Sequence, residues 1–102
     1  MSVQKSEASR ILGVRLRRRR LELDLNQETV AHRAGLNVSN YARIDRGYGN
    51  PTFHTLIRLA QVLGIEPSEL LADLTVEQLP PTRDDASAGS LILVQALAGV
   101  TP

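Results

Sequence analysis

Hydrogen-bonding side chains cluster on one face of a short predicted helix near the middle of the chain. Ser39, Asn40 and Arg43 fall on that face, whereas Tyr41 and Ile44 fall on the apolar face. A hydroxyl, an amide and a guanidinium on one outer face are suited to hydrogen bonding with another polar surface. The chemistry that this pattern predicts is therefore recognition through hydrogen bonds.

Residue types that catalyse reactions or bind metals are sparse. The two histidines, His32 and His54, lie in different predicted helices, and the carboxylates are scattered. An enzyme needs a cluster of acid, base or nucleophile, and neither a Gly-rich phosphate loop nor metal-ligand spacing occurs. The chain has no cysteine, so a disulfide or thiolate metal site is not available. We therefore expect no enzymatic activity, no catalytic residues, no metal and no cofactor.

Two helix start signals and one glycine position the polar face. Asn26 and Asn37 each precede a helical pattern and are suited to be N-caps. Leu25 and Val30 have the spacing of a hydrophobic staple around the first cap. Gly35 tolerates a positive φ, which lets the first helix stop and the chain turn. The pattern predicts two short helices joined by a tight turn, which is helix-turn-helix spacing.

The stretch from residue 26 to residue 47 resembles the helix-turn-helix of the lambda-repressor/Cro family, also called the xenobiotic-response-element (XRE) type. The family pattern of Gln, Ala, Gly and a final Ile, acid, Arg, Gly tetrad is met by Gln27, Ala31, Gly35 and Ile44-Asp45-Arg46-Gly47. The flanking sequence is similar to the family's first, fourth and fifth helices, so the resemblance covers roughly residues 9 to 72. It implies an all-α, five-helix lambda-repressor-like DNA-binding domain.

This resemblance implies that the polar face reads DNA in the major groove. The positions that reach bases are Val38, Ser39, Asn40 and Arg43. Asn40 can pair with adenine and Arg43 with guanine, while Val38 can contact a thymine methyl group. The residues expected to contact phosphates are Gln27, Arg46, Arg17, Tyr48, Asn50 and His54, with Arg15 and Arg18 as auxiliaries. A plain loop role for Tyr48 and Asn50, and a plain surface position for His54, are the alternatives.

One arginine of the first predicted helix points inward. Arg20 shares the apolar stripe of Leu12 and Leu16. The resemblance implies that Arg20 forms a salt bridge with Asp45, which ties the first helix to the end of the recognition helix. Removing one partner of such a pair costs about 3–5 kcal/mol when the pair is fully buried.

Charge is divided unevenly along the chain although its net value is only +1. Residues 1–60 carry 11 Lys and Arg and 5 Asp and Glu, whereas residues 61–102 carry 1 and 6. The basic half contains the predicted helix-turn-helix, which is the distribution expected of a DNA-binding surface.

The sequence predicts four segments. A flexible arm, 1–8, precedes the DNA-binding domain, 9–73, and a linker, 74–89, is rich in Pro, Ser, Gly and charge. The last segment, 90–102, is strongly apolar, and we expect it to be a dimerisation or partner-binding element, with an apolar tail recognised by proteases as the alternative. This apolar run is too short for the spacing of its residues to distinguish a helix from a strand.

Three functions fit these observations. The first is a sequence-specific transcriptional regulator, a repressor that binds double-stranded DNA as a homodimer on a palindromic operator. The second is an antitoxin that regulates its own operator and binds a toxin through residues 90–100. The third is a protein-bridging helix-turn-helix module that does not read DNA. Because no signal peptide and no apolar run of ~20 residues occurs, we expect a cytoplasmic protein without membrane contact. The family resemblance implies a bacterial or phage origin and association with the nucleoid.

Overall fold

Five α-helices and one short 3-10 helix follow one another in the computed structural model, which describes residues 6–82. The helices are α1 Glu7–Glu22, α2 Gln27–Ala34, α3 Val38–Asp45, α4 Phe53–Leu63 and α5 Pro67–Leu71, and the 3-10 helix is Val76–Gln78. The described residues contain no strand. The all-α, five-helix fold that the sequence predicted is therefore confirmed.

Side-chain caps set the helix starts. Asn26 accepts a hydrogen bond from the backbone of Thr29, and Thr52 accepts one from Thr55, each at the N-terminus of its helix. Ser6 caps α1, so this helix begins at Glu7, inside the segment 1–8 that the sequence predicted to be a flexible arm. The pattern missed the first turn because its only apolar residue there is a small alanine.

Left-handed residues end two of the helices and shape one turn. Gly35 ends α2 with φ 71°, and Gly64 ends α4 with φ 65°. Asp24 adopts φ 56° in the turn between α1 and α2. An aspartate tolerates this region better than most residues, so the turn forms without a glycine.

The core lies between α1, α2, α3 and α4, with one leucine from α5. Its fully buried large side chains are Leu16, Val30, Tyr41, Leu59, Leu63 and Leu70. Leu25 packs against this core before α2, next to the buried Val30 of the predicted staple. Leu23 is exposed, because α1 ends at Glu22 and the chain turns away.

Candidate nucleic-acid interface

Helix α3 presents a polar face to solvent. The side-chain oxygen of Asn37 accepts hydrogen bonds from the backbone nitrogens of Ser39, at 2.9 Å, and Asn40, at 3.2 Å. This cap fixes the first turn of the helix. The four residues predicted to read bases all lie exposed on α3, and they are Val38, Ser39, Asn40 and Arg43. Tyr41 and Ile44 of the same helix are buried.

The turn between α2 and α3 holds the two helices close together. Ala31 is fully buried, and its carbonyl oxygen accepts a hydrogen bond from the backbone nitrogen of Leu36 at 2.8 Å. This bond and the left-handed Gly35 form the turn. The small side chain of Ala31 permits the close crossing, so the core fixes the angle at which α3 is presented.

A buried carboxylate joins three helices behind the polar face. Asp45 Oδ2 accepts hydrogen bonds from Arg20 Nε of α1 and from the Tyr41 hydroxyl of α3, each at 2.9 Å. Asp45 Oδ1 accepts from Arg20 Nη2 and from Gln27 Nε2 of α2, each at 3.3 Å. The structure thus brings Arg20 and Asp45 together and adds two partners, Tyr41 and Gln27, that the sequence did not assign to this carboxylate.

The electrostatics of this cluster favour a charged arginine and a neutral tyrosine. Hydrogen bonding to Asp45 raises the pKa of Arg20 above its ordinary value. Burial, followed by the charge and the hydrogen bond of Asp45, raises the pKa of Tyr41. The Asp45 side chain is only 2% exposed and that of Arg20 10%. Removing either partner would leave a buried charge unpaired, so the pair is a strong positioning device for α3.

The residues predicted to contact phosphates differ in exposure. Arg17, Arg46, Asn50 and His54 are exposed, while Gln27 and Tyr48 are half-buried. Arg46 is the C-terminal cap of α3, and Gln27 is the first residue of α2.

Arg17 of α1 lies one helical turn from the contact between α1 and the residues after α3. It follows Gly13 by one helical turn, so both are on one face of α1. Gly13 packs so closely against Gly47 that an added Cβ would lie 2.7 Å from the Gly47 nitrogen. α1 therefore contacts the chain after α3 at Gly13, one helical turn before the exposed Arg17.

Two other arginines of α1 bind backbone carbonyls. Arg19 Nε donates to the carbonyl oxygen of Leu63 at 2.8 Å, and Arg15 Nη1 donates to that of Leu70 at 3.1 Å. Both acceptors belong to the last turn of a helix, where carbonyls lack helical partners and a positive charge is favourable. Arg15 therefore ties α1 to α5 through one of its guanidinium nitrogens. The sequence of α1 gave no signal for these contacts, because the acceptors are backbone atoms distant in the sequence.

Metal and membrane features are not found in the described part of the chain. Among residues 6–82, no group of three His, Cys, Asp or Glu side chains could hold a metal ion. In the same range, no helix is both long enough and apolar enough to cross a bilayer.

Comparison with known proteins identifies the family. Residues 16–70, which include α2, α3 and α4, match the helix-turn-helix family model. The chain belongs to the helix-turn-helix family. It is of the lambda-repressor-like, XRE type, as the resemblance implied.

Relatives in sequence share about 60 residues with this helix-turn-helix chain. An HTH-type transcriptional regulator of Sinorhizobium fredii, y4dJ, is 39% identical over 62 residues, which are 61% of this chain and 80% of that protein. The cryptic phage CTXphi transcriptional repressor RstR of Vibrio cholerae is 36% identical over 59 residues, which are 58% of this chain and 53% of the repressor.

Solved structures share the helix-turn-helix fold. The restriction-modification controller protein C.AhdI of Aeromonas hydrophila has a TM-score of 0.59 and 39% identity, covering 61% of this chain and 94% of its own. The clp gene regulator ClgR of Corynebacterium glutamicum has a TM-score of 0.60 at 19% identity, covering 91% of this chain and 85% of its own. This second similarity concerns the fold alone.

Proposed function

We propose that this helix-turn-helix transcriptional regulator is a repressor that binds a palindromic operator as a homodimer and reads each half-site with α3. The observation that carries the proposal is the exposed face of Ser39, Asn40 and Arg43 on a helix whose opposite face is buried. Nothing in the packing of the core requires an amide and a guanidinium at these positions. The relatives support the regulatory class, because two of them are named as transcriptional regulators.

Base reading in this proposal uses the first two turns of α3. Asn40 forms a bidentate pair with adenine and Arg43 with guanine, while Val38 meets a thymine methyl group and Ser39 accepts or donates a single bond. An α-helix fits the major groove with its N-terminal residues at the base edges. The Asn37 cap and the buried Asp45 cluster hold these side chains on a fixed helix before DNA arrives, which reduces the entropic cost of binding.

Phosphate contacts fix the register of α3 on the duplex. In this proposal the exposed Arg17 and Arg46 supply positive charge, and Tyr48, Asn50 and His54 supply further hydrogen-bond donors. Gln27 can serve both the protein and the DNA, because a side-chain amide has two N–H donors and Asp45 uses one. The same side chain then couples phosphate contact to the position of α3.

The dimer follows from the length of the reading surface. One α3 covers a single half-site, and two-fold related copies place two such helices about 34 Å apart, one turn of DNA. A protein contact through residues 90–100 is part of the proposal, and these residues lie outside the described part of the chain. We place the protein in the cytoplasm of a bacterium, on chromosomal or phage DNA.

Selection from random duplexes tests this function. The purified protein is expected to enrich a palindrome with half-sites one helical turn apart, and its affinity is expected to fall steeply with salt. A protein-bridging module would enrich no sequence, and that result would reject DNA reading. The antitoxin alternative would enrich an operator and also copurify with a small protein partner from its native host, so copurification distinguishes it.

Arg43 supplies the sharpest residue-level test. Arg43→Ala should cost about 1–3 kcal/mol on the selected operator and relax the preference at one base pair. Arg43→Lys should retain affinity for unrelated DNA while losing the same preference, because lysine keeps the charge but lacks the planar fork. Arg58→Ala removes an equal charge from α4 and is the matched control for base preference. Equal losses on every sequence for Arg43→Ala would remove this residue from base reading.

A further inference from the structure

An apolar groove lies where the N-terminal half of α1 meets α4 and the segment after α5. Its walls include the side chains of Leu12, Leu56, Leu71, Leu74, Leu79 and Pro80, and none of its lining residues within 6–82 is charged. Leu71 is 43% and Leu79 55% exposed to solvent. Apolar surface of this kind gains free energy when another apolar group removes it from water.

The size of the groove restricts what it can hold. Its volume is about 190 Å³, which is below the ~300–1,000 Å³ of sites for small-molecule ligands. A groove of this size is suited to a few apolar side chains of a polypeptide, each entering between the leucines. The described residues of its lining offer no charge to pair with a charged group, so an uncharged apolar segment fits the groove better than a charged one.

The chain carries such a segment close to the groove. Residues 90–100, SLILVQALAGV, contain no charged residue. The last described residue, Thr82, follows the groove residue Pro80 by two positions. Only the seven residues 83–89 separate Thr82 from Ser90, and seven residues span at most about 23–25 Å. A tether this short gives its segment an effective concentration in the mM range beside the groove.

We propose that residues 90–100 dock into this groove of their own chain. Docking removes the apolar side chains of the segment and those of Leu71 and Leu79 from water together. The short tether favours this arrangement over a second copy, which would have to reach mM concentration to compete. A segment held in this way has to leave the groove before it can bind a toxin or join two copies. The inference does not depend on DNA binding.

A spin label on the segment tests this contact in the full chain. The sequence has no cysteine, so Val94→Cys creates a single site for a nitroxide. The amide signals of Leu56 and Leu74 are expected to lose intensity relative to the same sample with the label reduced. Signals from α3, whose polar face carries Asn40 and Arg43, should lose much less.

Two substitutions of equal exposure provide the control. Leu79 at the groove is 55% exposed and Leu21 on α1, which does not line the groove, is 56% exposed. Leu79→Asp in the labelled chain should restore the signals of Leu56 and Leu74, whereas Leu21→Asp should leave their loss unchanged. Leu97→Asp should also restore the signals, and it leaves the sequence of residues 6–82 intact.

Three results would overturn the proposal. The first is an unchanged signal at Leu56 and Leu74 in the labelled chain. The second is a loss that Leu79→Asp and Leu21→Asp alter equally. The third is a loss that appears in an isotope-labelled chain mixed with a separate spin-labelled chain and disappears on dilution, which would assign the groove to a second copy.

Discussion

At the scale of single residues, the hydrogen bond of Tyr41 in α3 is the contact that the sequence indicated least. Its hydroxyl donates to Asp45 Oδ2 at 2.9 Å while its ring is fully buried. Asp45 thereby accepts from both Tyr41 and Arg20 on the same oxygen. The ring therefore packs in the core while the hydroxyl binds the carboxylate. Replacing Tyr41 with phenylalanine removes the hydrogen bond and keeps the packing of the ring.

Tyr41→Phe should lower the free energy of unfolding by about 1.5–3 kcal/mol near neutral pH, the range for a hydrogen bond to a charged group. The pKa of Tyr41 is raised in the folded protein, whereas an unfolded tyrosine titrates near ~10. The neutral hydroxyl thus stabilises the fold below about pH 10, and this contribution is lost as the pH rises above that value.

Urea unfolding measured at about pH 8 and about pH 11 checks this expectation. The difference between the natural protein and Tyr41→Phe should shrink at the higher pH. Tyr48→Phe leaves the Asp45 cluster intact and should keep the pH dependence of the natural protein. A constant difference across both pH values would mean that the Tyr41 hydroxyl does not titrate with unfolding.

At the scale of elements, the four consecutive arginines of α1, residues 17–20, have separate roles that depend on their helical position. Arg20 points into the core, and Arg19 reaches the last turn of α4. Arg17 and Arg18 remain exposed. Four consecutive residues spaced 100° apart point in four directions, so one charged run both positions α1 and supplies a solvent-exposed face.

Arg19→Ala should lower the free energy of unfolding by about 1–2 kcal/mol, because the carbonyl of Leu63 loses a charged donor at a helix C-terminus. Arg18→Ala removes the same charge from an exposed position and should change stability by no more than about 0.5 kcal/mol. Arg19 also pairs with Glu22 at 3.3 Å, so Glu22→Ala measures that ion pair separately. The denaturant midpoints of the three variants measure these changes in stability. Equal losses of stability for Arg18→Ala and Arg19→Ala would contradict a stabilising contact with the Leu63 carbonyl.

Local signals predicted the elements better than the contacts between them. Asn26, Asn37 and Gly35 mark helix ends through their own backbone preferences, which act over a few residues. The acceptors of Arg19 and Arg15 are carbonyls 44 and 55 residues further along the chain. Any residue type provides such a carbonyl, so no pattern of side chains could have indicated these contacts.

The polar face of the candidate site followed from helical spacing, but the Asp45 cluster followed only in part. The inward position of Arg20 was visible as an interruption of the stripe formed by Leu12 and Leu16. Gln27 and Tyr41 gave no such signal, because each also has an ordinary role as a helix-start residue or a core aromatic. Their hydrogen bonds depend on how α2 and α3 cross, which is a property of the packed core.

At the scale of the whole molecule, basic and acidic residues occupy different parts of the sequence. The acidic residues after α4 include Glu66, Glu69, Asp73 and Glu77, while the elements around α3 carry the arginines. Such a separation steers a nucleic acid toward the basic part and away from the acidic one. Under the proposed function, the net charge of +1 therefore understates the electrostatic attraction between the α3 surface and DNA phosphates.

Salt dependence separates a phosphate contact from a change in net charge. Each phosphate neutralised by the protein contributes about 0.9 to the slope of log affinity against log salt. Arg17→Ala should therefore lower the slope on the selected operator by about 1 for each copy bound, or about 2 for a homodimer, with no change in base preference. Glu77→Gln alters the net charge by one unit on the acidic part of the chain and should leave the slope unchanged.

Affinities measured at several salt concentrations distinguish the two variants, because a phosphate contact releases counterions locally whereas distant charge acts only through the screened field. If both substitutions shifted the slope by the same amount, Arg17 would act through net charge and would not contact a phosphate.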